Sequence, residues 1–234
     1  MRTGLATEPL PSERPSTEDF RVLVRRLGRV PYAEGLSLQE ELVAARQEGG
    51  GADTLLLLEH PPVVTLGRGA DESHLLLPRE EIARRGVEVH DTTRGGDVTY
   101  HGPGQLVGYA VLRLPPDLQD LHRLLRTMEK ALIEAARELG IEAGRVEGLT
   151  GVWVGREKLA AIGMRVARWV TSHGFALNVS SDLSGFELIV PCGIRGRGVT
   201  SLSRLLGREV PVTEAAGAVV RGFSRAFGAR MEEA

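Results

Sequence analysis

Apolar residues fall into short blocks along the chain, and the spacing within each block predicts what it becomes. Leu121, Leu124, Leu125, Met128, Leu132, Ala135 and Leu139 recur at helical spacing. They predict a helix over Asp120–Leu139 that Gly140 stops. Val212–Phe227 reads as a second amphipathic helix. Gly35–Gln47 reads as a third, with Ser37 as N-cap and Glu40 three residues on, as in a capping box, and the Gly49–Gly51 run breaks it. Pro78–Arg85 reads as a short helix begun by proline and ended by Gly86. Strands are predicted at Thr54–Glu59 and Val63–Leu66 around the turn His60-Pro61-Pro62, then at Val87–His90, Val98–Tyr100 and Gln105–Leu114. In the last of these, Val107, Tyr109 and Val111 share one side. A strand-rich stretch follows at Gly151–Val154, Lys158–Val166, Trp169–Asn178 and Phe186–Ile189. Hairpins interleaved with a few helices, without regular βαβ alternation, predict an α/β (α+β) domain. Its sheet is expected to be mixed, mostly antiparallel, and flanked by helices.

Composition narrows the classes. A chain of 234 residues with 42% apolar residues suits one domain with a sizeable core. Residues 1–20, with Pro9, Pro11 and Pro15 among polar neighbours, read as a flexible or extended arm, and residues 21–234 as a single domain. No apolar run approaches the roughly 20 residues of a membrane span, and the N-terminus lacks an apolar signal core. A net charge of −2 gives no whole-chain attraction to nucleic acid. A single cysteine excludes an intramolecular disulfide and a multi-cysteine metal site. A cytoplasmic protein without metal or cofactor, acting as a monomer away from membranes and nucleic acid, is the expectation.

Three segments carry candidate chemistry. Arg94–Gln105 holds four glycines in twelve residues, beside Arg94, Thr99, Tyr100 and His101. That composition suits a hairpin turn or a binding loop in which backbone approaches a ligand closely. A dinucleotide fingerprint fails there, because the spacing from Gly104 to Gly108 is one residue too long and no helix follows. Pro191-Cys192-Gly193 fixes a tight turn around the lone cysteine, which by itself suits a buried structural thiol or a nucleophile. Lys158 follows a hairpin turn at Gly155–Glu157, where an ordinary solvated lysine is the simpler reading. The small residues Ala160, Ala161 and Gly163 after it, and Gly174 and Ala176 further on, suit a narrow apolar slot.

Together, RGGDVTYHGPGQLVGY (94–109), GVWVGREKLAAIG (151–163), HGFALNV (173–179) and PCGIRGRGVTSL (191–202) resemble the octanoyl-[acyl carrier protein]:protein octanoyltransferases, also called lipoyl(octanoyl) transferases. Order and spacing match throughout, and a looser likeness runs from about residue 22 to about 225. The resemblance implies a fold shared with biotin and lipoate protein ligases. It implies transfer of an octanoyl group from acyl carrier protein to a specific lysine of lipoyl domains, in 2-oxoacid dehydrogenase complexes and glycine cleavage H protein. That is the first step of endogenous protein lipoylation. Cys192 is implied as the acyl-carrying nucleophile and Lys158 as its partner. The implied acyl-binding surface is Arg94, Gly95, Gly96, Asp97, Val98, Thr99, Tyr100 and His101, with Ala161, Ile162, Gly163, Gly174, Phe175 and Ala176. An ATP-dependent ligase on the same fold, and a noncatalytic binder of acyl chains or carrier protein, are the alternatives.

The residue types suit that chemistry. Thiolate attack on a thioester exchanges like for like, so no ATP is needed. An ordinary cysteine is only a few per cent thiolate at neutral pH, and an ammonium about 4 Å away stabilises the anion by roughly 4 kcal/mol before desolvation. The same lysine, once neutral, can take a proton from the attacking amine. Gly193 is placed to offer an N–H to a tetrahedral oxyanion, with His101 as a second donor or as a support for the loop. Burying the tail contributes about 0.8 kcal/mol per CH₂. Arg195, Arg197, Arg204 and Arg208 follow the cysteine with no acidic residue among them, and suit docking of an acidic carrier protein.

Overall fold

Strand pairing organises the chain. In the computed structural model, which describes residues 20–194 and 196–234, a nine-stranded mixed sheet forms the backbone of the molecule. The N-terminal arm expected up to residue 20, except for Phe20, and Arg195 lie outside the described residues. The strands are β1 (Arg21–Arg29), β2 (Thr54–Glu59), β3 (Val63–Leu66), β4 (Glu88–Asp91), β5 (Val98–His101), β6 (Gln105–Val111), β7 (Gly144–Val146), β8 (Leu149–Val154), β9 (Glu157–Ala167), β10 (Val170–Asn178), β11 (Gly198–Val199) and β12 (Arg230–Glu233). The large sheet runs β12-β1-β2-β6-β10-β9-β8-β7, with β11 paired to β9, and a second sheet runs β4-β3-β5. Antiparallel pairs predominate, as expected, beside the parallel pairs β1–β12, β1–β2, β3–β4 and β9–β11. The helices are α1 (Tyr32–Gln47), α2 (Arg79–Arg84), α3 (Leu121–Glu138), α4 (Leu202–Leu206) and α5 (Val212–Phe227).

Burial explains the layering. The faces of α3 and α5 bury Leu124, Met128, Leu132, Val219 and Phe223 against one side of the sheet, in one cluster with Leu55, Leu57, Leu106 and Val152. Gly222 lets the two helices close, since a Cβ there would strike the Ala131 carbonyl oxygen. Leu38 and Leu42 of α1 cover Leu56, Leu58, Val107 and Tyr109 on the opposite side. Val107 and Tyr109 share the α1 side of β6, as expected, and Leu106 and Ala110 the other, with every residue of the strand buried. A central strand covered on both faces has no solvent face to mark.

Three expectations are corrected. Helix α1 begins at Tyr32 and not after Ser37. Pro31, at φ −51°, sets the entry without a side-chain cap, and Tyr32 and Gly35 are buried in the first turn. Phe186–Ile189 is not a strand. Residues Leu183–Leu188 form a helical turn whose start is capped by Asp182 Oδ1, accepting from the Ser184 N–H at 3.0 Å. Trp169 belongs to a turn, because Arg168 and Trp169 both take positive φ (51° and 58°) between β9 and β10. That is the two-residue hairpin geometry matched to strand twist.

Candidate active site

The centre of the large sheet opens into a cavity of about 430 Å³. Its walls come from β5, β6, β9 and β10, from the Gly148–Thr150 segment, and from the turn carrying Cys192. Strand β9 delivers Lys158 to it by an irregularity. Val152 pairs with Ala160, but Trp153 pairs with Lys158, so one extra residue, Leu159, is inserted opposite β8. This bulge puts Leu159 and Ala160 into the core while Lys158, Ala161 and Gly163 face the cavity. A regular strand would place Lys158 and Ala161 on opposite faces.

Lys158 Nζ lies 3.0 Å from Cys192 Sγ. The lysine is 6% exposed and its ammonium stands 4.8 Å from the centre of the Trp153 ring, with no carboxylate in ion-pair range among the described residues. Cys192 is half-buried, in a single turn at Pro191–Gly193 with φ 54° and ψ 23°. The two groups that the resemblance pairs across 34 positions of sequence are therefore in contact.

Arg94, Gly96, Asp97, Thr99 and His101 line the cavity, as do Ala161, Ile162, Gly163, Gly174, Phe175 and Ala176. Val98 and Tyr100 do not. Successive residues of β5 alternate, and these two turn into the cluster of Val64, Leu66, Ile82 and Phe186 behind the small sheet. Gly95 lies behind the wall, its N–H bonded to the Met164 carbonyl at 3.0 Å. Gly108 gives the cavity part of its shape, because a Cβ there would overlap the Phe175 ring.

A buried polar network holds this wall. The Arg94 Nε donates to Thr65 Oγ1 at 3.2 Å and its Nη1 to the Gly95 carbonyl at 3.1 Å. His101 Nδ1 meets Gln105 Oε1 at 2.7 Å and Nε2 meets Thr65 Oγ1 at 3.3 Å. Gln105 Nε2 donates to Asn178 Oδ1 at 2.9 Å, and Asn178 Nδ2 to the Thr200 carbonyl at 2.9 Å. The amide oxygen fixes Nδ1 as the protonated nitrogen of His101. Burial, with His60 opposite, lowers the His101 pKa to about 3. Burial, with Arg94 nearby, lowers that of His173 to about 4. Both rings are neutral at physiological pH. His101 has both nitrogens engaged, which favours support of the loop over donation to a substrate.

Two expectations about the nucleophile turn change. The Gly193 N–H is taken by the Val190 carbonyl at 3.0 Å, so it is not free for an oxyanion. The arginines after Cys192 are not a uniform cationic strip, because Arg204 pairs with Glu157 and Arg208 with Glu214, while Arg197 stacks over Trp153 at 5.2 Å. Sequence reading missed Tyr32, Gly69, Val107, Tyr109 and Leu149 in the wall, and His74 beside it. Val107 and Tyr109 stood inside a quoted motif. The others lie in segments that reach the cavity only through the fold.

The chain has clear relatives. The model of the lipoyl protein ligase A/B catalytic domain matches residues 31–224. The octanoyltransferase of Myxococcus xanthus is 47% identical over 219 residues, 91% of this chain and 61% of that protein, so the chain spans less than two thirds of that relative. The octanoyltransferase of Solibacter usitatus is 51% identical over 208 residues, 89% of this chain and 94% of that protein. Among solved structures, the bi-partite lipoate protein ligase of Thermoplasma acidophilum superposes with a TM-score of 0.71 at 20% identity, covering 92% of this chain and 86% of that one. Biotin protein ligase of Aquifex aeolicus superposes with a TM-score of 0.51 at 15% identity, covering 89% and 69%. These last two likenesses are of fold.

Proposed function

The chain belongs to the lipoyl protein ligase A/B catalytic-domain family, among its octanoyltransferases, and from that premise we propose that it moves the octanoyl group through a thioester on Cys192. The donor in this reading is octanoyl-acyl carrier protein, and the acceptor is a specific lysine of a lipoyl domain. The observation that carries it is the 3.0 Å contact between Lys158 Nζ and Cys192 Sγ at the wall of a cavity lined by small and apolar residues.

In the first step the ammonium of Lys158 stabilises negative charge on Sγ, which attacks the donor's thioester carbonyl. The new C–S bond forms as the bond to the carrier's sulfur breaks, and the carrier leaves as a thiol after taking up a proton. The oxyanion formed on the way meets the Cys192 N–H, which has no acceptor among the described residues. Acylation then removes the negative charge from sulfur. Left protonated, the lysine would be a buried cation whose neighbours are an indole face and a neutral thioester. Its proton is the one that passes to the departing carrier sulfur, which leaves neither a thiolate nor an uncompensated buried cation behind. Neutral Lys158 takes a proton from the attacking lysine amine, an amide forms, and Cys192 departs as thiolate beside the reformed ammonium. The two roles of Lys158 follow one another because the charge on sulfur changes.

Mass spectrometry of the protein mixed with octanoyl-acyl carrier protein tests the reading. One octanoyl adduct on Cys192 is expected, and it disappears when an apo lipoyl domain is added. Transfer without any adduct, or transfer that requires ATP and free octanoate, overturns it.

A further inference from the structure

The turn carrying Cys192 is held in an unfavourable conformation. Cys192 at φ 54° is followed by Gly193 at φ 67°. For a residue with a Cβ, the left-handed region costs about 1–2 kcal/mol, and it persists only where the surroundings hold it. The holding contacts come from 71–76. The Leu76 N–H donates to the Leu188 carbonyl at 2.9 Å, Leu75 bridges to Ile189, and the His74 carbonyl accepts the Val190 N–H at 2.8 Å. Where this brace ends, His74 Nδ1 meets Asp97 Oδ2 at 2.6 Å. Asp97 Oδ1 accepts the Val98 N–H at 2.7 Å and the Asp71 N–H at 3.2 Å. Ring and carboxylate both lie against the bare Cα of Gly193, where a Cβ would stand 2.7 Å from Asp97 Oδ2 and 2.7 Å from His74 Cε1.

We infer that His74 is a positioning residue for the nucleophile. Its Nδ1–H, donated to Asp97, locks ring and carboxylate into a floor beneath Gly193. That floor holds Cys192 in the left-handed conformation that aims Sγ at Lys158. Asp97 also lines the cavity, so the same pair fixes the thiol relative to the loop over which the acyl group would lie. The apolar cluster of the small sheet is built by residues such as Leu75, Leu77, Phe186 and Leu188, without either member of the pair. This inference rests on Cys192 being the nucleophile.

The test compares His74→Ala, His74→Asn and His74→Gln. Asparagine can place an N–H where Nδ1 stands, whereas glutamine carries its donor further out. Because the chain has one cysteine, alkylation by iodoacetamide reports that thiol alone. Alkylation and single-turnover acylation by octanoyl-acyl carrier protein should both fall by roughly 10- to 100-fold in the alanine and glutamine variants, the scale expected of a misplacement near 1 Å. The asparagine variant should recover most of both rates, and the KM for the donor should stay close to that of the parent in all three. Parent-like rates in His74→Ala, or equal losses in the folded asparagine and glutamine variants, overturn the inference. If Cys192→Ala still transfers octanoyl, the thioester reading fails, while the alkylation rates still decide whether His74 positions the thiol.

Discussion

Replacing Lys158 by methionine keeps the bulk of the stem and removes the charge. At the observed 3.0 Å separation, an ammonium and a thiolate attract by about 5 kcal/mol at an effective dielectric constant near 20. The lysine is only 6% exposed, so desolvation of the cation offsets part of this. A net loss of about 3 kcal/mol on Lys158→Met corresponds to a fall of roughly 100-fold in the rate of acylation. The assay is single-turnover acylation from octanoyl-acyl carrier protein, with thermal unfolding followed in parallel. Unfolding temperature should hold or rise, because an apolar side chain replaces a buried cation. Acylation within a factor of about three of the parent, with the fold intact, would show that the contact does not activate sulfur and would refute the charge argument.

Other outcomes follow from the same geometry. Ala176, 4% exposed at the cavity wall, becomes an obstruction on Ala176→Leu. At about 0.8 kcal/mol per displaced CH₂, octanoyl transfer should drop roughly 10-fold or more relative to butanoyl transfer, read as a ratio of kcat/KM. Acid should weaken the fold through His173, whose pKa is lowered to about 4 in the folded chain against an ordinary value near 6.5. Between those values the unfolded chain binds a proton that the native one does not, so stability is lost as pH falls, by up to about 1.4 kcal/mol per pH unit. Urea unfolding at pH 6.5 and pH 4.5 should show a smaller drop for His173→Asn than for the parent. Arg156 and Arg197 are in no ion pair among the described residues near the thiol, and Arg156→Glu with Arg197→Glu should raise the KM for carrier protein, most strongly at low salt. A salt-independent KM in the parent would remove carrier docking from this face.

Much of the fold was legible because its signals are local. The helical spacing of 120–139 and 212–227, and the bounds of β2 and β3, match the structure to within a residue. Strands β1, β7, β11 and β12 were not read. β7 and β11 are two or three residues long, and β1 and β12 carry many charges near a sheet edge. Phe186–Ile189 misled because its apolar residues pack from a turn capped by Asp182, a choice its apolar content does not encode. Within the site, quoting whole motifs swept in Val98, Tyr100 and Gly95, whereas the pleat decides which side chains meet the cavity. The Gly193 N–H suited an oxyanion until its partner, Val190, was known. His74 carried no sequence signal, because its place depends on a brace between segments more than a hundred residues apart.

A strand counts in twos, and the extra residue at Leu159 makes the count odd. The side of the sheet that receives Lys158 is therefore set separately from the register that places Ala161 and Gly163. Were β9 to run at its present length without the bulge, Lys158 and Ala161, three residues apart, would fall on opposite faces and the ammonium would turn into the packing beneath α3, whereas deleting one residue between them would remove the bulge and leave both on one face. No change of charge, volume or motif identity is needed to lose the contact with Cys192. What keeps Lys158 facing Cys192 is thus the bulge itself, and not the identity of the apolar side chain at position 159.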